Sequence, residues 1–232
     1  GKTTDLTAMG GAQYVHTFDK CFFMPSDLTA GLEYNRDRLK DNMWGYNRHT
    51  DQTVNIYSAF LQNEWKNDRW GILIGGRLDK HNMVDNVIFS PRANLRFNPT
   101  QNINLRLSYS SGFRAPQAFD EDMHIENVGG TVAMIERAKD LKEEKSQSFS
   151  VSADMYHRFG AFQTNLLIEG FYTRLTDVFV LGKPYDRGDG ILVKTRSNGP
   201  GAKVMGLTLE GKVAYLSILQ IQAGLTLQQI GR

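Results

Sequence analysis

A single cysteine, Cys21, rules out a disulfide within the 232-residue chain and any CxxC metal or redox pair. No run approaches the ~20 consecutive apolar residues of a membrane helix, and mean hydropathy is negative. That excludes helical spans only, because a membrane strand needs just ~9–11 residues, every second one apolar. Charge of one sign is missing as well. The 27 Lys and Arg and 25 Asp and Glu are spread along the chain for a net +2, so no basic block tracks phosphates and nucleic acid is not an expected partner. The opening Gly1-Lys2-Thr3-Thr4-Asp5 lacks the character of a signal peptide. Enzyme signatures are absent too: there is no Gly-x-Ser-x-Gly elbow, His-Glu-x-x-His or phosphate loop, and His16, His49, His81, His124 and His157 are scattered. No enzymatic activity, cofactor or resident metal is expected.

What the chain has is alternation. Ile103, Leu105, Leu107 and Tyr109 share one side of a stretch whose other side carries Asn102, Asn104, Arg106 and Ser108, and a period of two places side chains on opposite faces only along an extended strand. The pattern recurs around Leu28–Asn35, Trp70–Asp79, Arg92–Phe97, Ser148–Met155, Phe162–Tyr172, Met205–Tyr215 and Leu219–Gln228. With less regular stretches at Gln13–Asp19 and Val54–Trp65, this predicts about ten strands and no amphipathic helix.

Tight turns are expected near Met24–Asp27, Lys66–Arg69, Asn98–Thr100, Arg158–Gly160 and Leu216–Ser217, in rotation with longer polar connections near 37–51, 79–87, 115–143 and 181–197. Short and long joins then lie at opposite ends of one sheet, as in an up-and-down membrane barrel. Aromatic residues gather near strand ends: Trp65, Trp70, Phe97, Tyr109, Phe113, Tyr172 and Tyr215. Rings at both ends suit the two interfaces of a membrane. A soluble or surface-exposed glycan-binding β-protein is the competing reading, since one apolar and one polar face also fit a sandwich.

Gly112-Phe113-Arg114-Ala115-Pro116, at the end of an alternating strand and opening a long loop, resembles the Gly-Phe/Tyr-Arg-Ala-Pro signature of TonB-dependent outer-membrane receptors. Asp140-Leu141-Lys142-Glu143-Glu144 is similar to that family's entry to the next strand, with Glu143 in place of proline. Phe171-Tyr172-Thr173-Arg174 through Asp177, Asn198-Gly199 through Glu210, and Gly76-Arg77-Leu78-Asp79 resemble further strands of the family in the right order, with Thr208 displacing a usual acid.

The resemblance implies an all-β, antiparallel meander forming part of a roughly 22-stranded transmembrane barrel. Residues 1–232 would supply roughly the eighth to the seventeenth strands, an internal piece without plug domain or closing strands and with two unpaired edges. The implied function is TonB-energised uptake of a scarce nutrient complex, of the iron-siderophore, haem or cobalamin class, across the outer membrane of a Gram-negative bacterium. Implied partners are outer-membrane lipid, the receptor's own plug and TonB.

Arg92, Arg96, Arg106 and Arg114 would face inward as a basic track for an anionic ligand, with hydrogen bonding to plug and neighbouring strands as the favoured alternative. Trp44, Tyr46 and His49 are candidates for ligand contact by stacking. Asp120, Asp122 and His124 in the longest loop are candidates too; their carboxylates suit Ca²⁺, yet a solvated acidic loop is the preferred reading.

Overall fold

The computed structural model describes residues 2–43, 48–114, 126–128, 131–137, 141–183, 185–186, 188 and 192–231. Ten long strands form one antiparallel sheet: β1 (Lys2–Cys21), β2 (Met24–Met43), β3 (Arg48–Lys66), β4 (Trp70–His81), β5 (Ile88–Thr100), β6 (Ile103–Arg114), β9 (Glu144–Phe159), β10 (Phe162–Thr176), β14 (Ala202–Tyr215) and β15 (Leu219–Gly231). Each pairs with its neighbour in that order, an uninterrupted meander. Among the described residues β1 and β15 are the two edges. Five short strands make a second sheet: β7 (Glu126–Val128), β8 (Thr131–Arg137), β11 (Phe179–Leu181), β12 (Tyr185–Asp186) and β13 (Leu192–Asn198). They come from the connections that follow β6 and β10, and β13 joins them by running parallel to β8.

Register carries the alternation across the sheet. Leu107 lies opposite Leu95 on one side and Val151 on the other, while Ser108 lies opposite Asn94 and Ser150. Between the aromatic belts β2 to β15 of the large sheet thus add mainly apolar side chains to one face and mainly polar ones to the other. The apolar face is not a core. Leu32, Leu61, Ile74, Leu107, Val151 and Leu225 are each at least half exposed, whereas among the described residues the buried hydrophobic ones are five: Leu39, Val54, Val84, Ile88 and Val193. Water penalises such a continuous apolar surface, far beyond the few hundred Å² a soluble monomer shows.

Two aromatic belts bound this face. At the short-turn end Phe23 stacks on Trp65 at 5.5 Å, Trp70 on Phe97 at 4.3 Å, and Phe162 lies 5.0 Å from Tyr215. At the long-loop end Tyr34 pairs with Tyr57 at 4.9 Å and Tyr109 with Phe149 at 4.8 Å. From Phe162 to Tyr172, β10 covers about 33 Å along its axis, which a tilt near 40° reduces to ~25 Å, the height of a barrel's apolar band.

Boundaries shift from the sequence expectation in identifiable ways. The first short turn is Phe22-Phe23 rather than Met24–Asp27, and Phe22 holds a left-handed φ of 63°. Beyond Phe97 the register shifts, so β5 continues through Asn98-Pro99-Thr100 and the turn falls at Gln101-Asn102. The proline sits at the irregularity, where its missing N–H costs the ladder nothing. The expected connection 37–51 is mostly strand. β2 runs to Met43 and β3 starts at Arg48, because backbone pairing continues past the point where the hydrophobic pattern ends. Likewise β1 begins at Lys2 rather than near Gln13.

Candidate ligand path on the polar face

Even-numbered positions of β6 and β9 and odd-numbered ones of β10 line the polar face with short hydroxyl and amide side chains. Ser148 and Thr173 share a hydrogen bond at 3.2 Å across β9 and β10, and Asn165 Nδ2 donates to Asp154 Oδ1 at 2.6 Å. Two further groups of charged side chains lie on β1 to β6.

The acidic zone lies on β1 to β4. Arg77 Nη2 donates to Glu33 Oε2 at 2.8 Å and its Nε to Asp79 Oδ1 at 3.0 Å, bridging β4 to β2. Asp79 is 3% exposed and accepts a further bond from the Ser58 hydroxyl. A buried carboxylate is tolerated because a guanidinium and a hydroxyl occupy its lone pairs. Nearer the long loops Thr3 Oγ1 donates to the buried Asp41 at 2.6 Å. There a hydrogen bond to Asp5, which only the protonated carboxyl can donate, holds Asp37 above its usual range; desolvation and the like charge of Asp5 act in the same direction, while the Thr7 hydroxyl opposes them.

The basic zone lies on β5 and β6, and its members do different things. Arg96 Nη2 donates to the carbonyls of Asn67 and Trp70 at 3.0 and 3.1 Å, so it braces a short turn. Its cross-strand neighbour Arg106 donates from Nε to Asn104 Oδ1 at 3.1 Å. Arg114 lies eight residues further along the same face of β6, about 26 Å away, too far for one compact ligand to touch both. Its guanidinium carbon sits 5.7 Å from the Phe179 ring, a cation–π contact. Glu144, opposite Arg114, accepts the Phe179 N–H at 2.9 Å. The end of β6 thereby holds the second sheet.

The remaining family-motif residues take structural places. Gly112 lies opposite Ser146, whose hydroxyl an added Cβ would meet at an ordinary 3.4 Å, and Phe113 lies opposite Lys145. His49 belongs to β3, opposite Asn42. Trp44, Tyr46, Ala115, Pro116, Asp120, Asp122 and His124 lie outside the described residues. Among the described residues no cluster of His, Cys, Asp and Glu is placed to hold a metal ion.

Two functional groupings escaped the sequence reading. The Glu33–Arg77–Asp79 bridge had a signal, since Arg77 and Asp79 share a face by spacing, yet Glu33 is 44 residues away. The clamp formed by Asn198, whose side chain binds the main chain at Lys142 and Asp177, had no local signal beyond the motif.

The arrangement matches known proteins along its whole length. Residues 3–231 match the model of the TonB dependent receptor-like β-barrel. Over 99% of the chain the fold superposes, with a TM-score of 0.83 and 16% identity, on the crystal structure of the siderophore receptor PirA from Pseudomonas aeruginosa, covering 44% of that chain. The ferric enterobactin receptor PfeA from the same organism, as the Q482A mutant in complex with enterobactin, gives a TM-score of 0.71 at 19% identity over 98% of this chain and 36% of its own. A probable hemoglobin and hemoglobin-haptoglobin-binding protein of Haemophilus influenzae is 23% identical over 206 residues, 87% of this chain and 18% of that protein. The chain thus spans less than half the length of these relatives. The match is to receptors rather than enzymes, and nothing in it favours the glycan-binding alternative. The exposed apolar face, the two aromatic belts and the unbroken meander are the marks of a membrane barrel wall, and the chain belongs to the TonB-dependent receptor β-barrel family.

Proposed function

We propose that the chain forms part of the wall and loops of an outer-membrane receptor of a Gram-negative bacterium, which takes up an iron-bearing complex, a ferric siderophore or haem, with energy from TonB. The observation that carries the reading is the two-faced meander, whose apolar face is exposed between aromatic belts and whose fold follows siderophore receptors over nearly its full length. The apolar face meets lipid and the polar face lines the lumen or contacts the plug. Edges β1 and β15 pair with further strands of the same receptor, since a barrel without closure leaves ladder groups unsatisfied in lipid.

Within this reading the ligand enters from the long-loop end, where Trp44, Tyr46, His49, Asp120, Asp122 and His124 are candidate contacts. Arg106 faces the lumen below them as a steering charge, while Arg114 serves chiefly to seat the loop sheet.

The test is uptake of radiolabelled iron, supplied as ferric siderophores or haem, in cells carrying or lacking the intact receptor. Uptake of at least one form should require both receptor and TonB. Equal uptake of every form by the deletion strain would overturn the proposal.

A further inference from the structure

On β2 the exposed side chains beyond Tyr34 are Arg36, Arg38 and Lys40, while Asp37 is half-buried and Leu39 and Asp41 are buried. Alternation puts the three cations on the same face as Leu28, Ala30, Leu32 and Tyr34, the apolar outer face, not the lumen. Their cross-strand neighbours offer little counter-charge. Arg36 lies between Ala8 and Asn55, Arg38 between Leu6 and Thr53, and Lys40 between Thr4 and Asp51. Lys2, opposite Asn42, extends the row. Among the described residues Asp51 is the one carboxylate on this face of β1 to β3, 3.6 Å from Arg38 Nε.

Directly below, at the level of the Tyr34–Tyr57 pair, the outer face is hollowed. A depression of about 550 Å³ is lined by Gly10, Ala12, Leu32, Tyr34, Tyr57 and Ala59. A Cβ added at Gly10 would meet nothing within 4 Å, so the hollow is open there. Lys80 at its rim donates to the carbonyls of Val84 and Asp85 at 2.5 and 3.1 Å, which hold its ammonium away from the row.

A row of like charges about 7 Å apart is unfavourable unless an anion lies over it. Its position just outside the aromatic belt is where lipid headgroups lie. We propose that this face binds one phosphorylated, acylated lipid of the leaflet on the long-loop side. Phosphate is held by Arg36, Arg38 and Lys40, and an acyl chain lies in the depression against Leu32 and Ala59. Guanidinium groups match phosphate oxygens in pairs, and the small residues Gly10, Ala12 and Ala59 on either side of Leu32 and Tyr34 leave room for a chain that branched side chains there would exclude. The proposal rests on the barrel reading above, which supplies the orientation in the membrane.

The test uses the intact receptor in phosphatidylcholine nanodiscs, titrated with lipid A or with lipid A stripped of its phosphates, and bound lipid is counted by native mass spectrometry. The variant R36Q/R38Q/K40Q should weaken binding of phosphorylated lipid A by about a hundredfold, from the contribution of three cations at an anionic surface. The variant K20Q/K66Q/R69Q, with the same charge loss at the short-turn end, should leave it unchanged. Gly10→Leu with Ala59→Leu, which fills the hollow, should weaken lipid A binding while leaving the basic row in place. Binding that ignores the phosphates, or survives loss of the three cations in a receptor that still reaches the outer membrane and transports iron, overturns this site alone. Failure of the wild type to fractionate with the outer membrane would overturn the barrel reading as well.

Discussion

The side chain of Asn198 pairs with the peptide of Lys142 through two reciprocal bonds, Lys142 N–H to Oδ1 at 2.6 Å and Nδ2 to Lys142 C=O at 3.0 Å. A third bond, from Nδ2 to the Asp177 carbonyl at 2.8 Å, ties the same amide to the end of β10. One side chain thus holds three chain segments together just beyond the sheet: the approach to β9, the exit of β10 and the end of β13. Asp177 itself has a φ of 53°, and the Gly199 N–H closes the junction on the Val178 carbonyl at 2.6 Å.

Asn198→Ala should therefore loosen the loop end without disturbing the wall. At about 1 kcal/mol per hydrogen bond, the local cost is about 2–3 kcal/mol. Amide exchange at Lys142 and Gly199 should accelerate, while amides between the aromatic belts keep their protection. Unchanged exchange at Lys142 would show that the clamp does not hold these segments.

A second expectation concerns Gly31. A Cβ at this position would lie within 3 Å of the Phe60 ring, which covers the glycine from the neighbouring strand. The glycine has an ordinary extended φ, so the penalty for a larger residue is steric rather than conformational. Gly31→Val should destabilise the barrel by about 1–3 kcal/mol, the usual range for overpacking. Phe60→Ala in the same chain should recover most of that loss. Additive losses in the double variant, measured by urea unfolding in lipid vesicles, would contradict the contact.

These residues also indicate how much was readable in advance. The ten wall strands were legible because a period of two survives wherever one face must be apolar, as at Ile103–Tyr109. The pattern faded at the upper end of β2, where Arg36, Arg38 and Lys40 stand outside and Asp37, Leu39 and Asp41 inside, so strand pairing continues while the hydrophobic signal inverts. It faded again in β1, where Gly10 and Gly11 interrupt and both faces carry small or polar residues. The Phe22-Phe23 turn has none of the Gly, Asn or Pro that announces a turn. Of the site, shared faces could be counted but contacts could not. Arg96 and Arg114 look alike in sequence, yet one braces a turn and the other seats a phenylalanine ring, through partners 26 or more residues away.

Arg77 offers a sharper energetic test. Its loss leaves Asp79 buried at 3% exposure with only the Ser58 hydroxyl of its two partners. Arg77→Met should cost about 1–3 kcal/mol, as expected when a buried carboxylate loses one of two hydrogen-bond partners and the lost partner was itself partly solvated. Most of that comes from Asp79, because the Glu33 side chain is 40% exposed and that of Asp79 4%. Arg77→Met with Asp79→Asn should then be less damaging than Arg77→Met alone. A double variant at least as unstable as the single one, in a double-mutant cycle of vesicle unfolding, would assign the loss to Arg77 packing instead.

The last expectation is a pH dependence at the long-loop end of β1 and β2, beyond the apolar band. Asp37 is held above its ordinary value of 3.8 chiefly by the hydrogen bond with Asp5. A carboxyl whose folded pKa is raised favours the protonated fold. Its contribution is fully present below the unfolded value and is lost as pH rises through the folded one. The ladder joining Thr7 to Asp37 should thus open more readily as pH climbs through the acid range above 3.8. Asp5→Asn removes the like charge, and Asp37 should then titrate nearer its ordinary value, as read from its carboxyl carbon by NMR. Asp37→Asn should abolish the pH dependence of amide exchange at this end once intrinsic rates are divided out. Persistence of that dependence in Asp37→Asn would place its origin in another group.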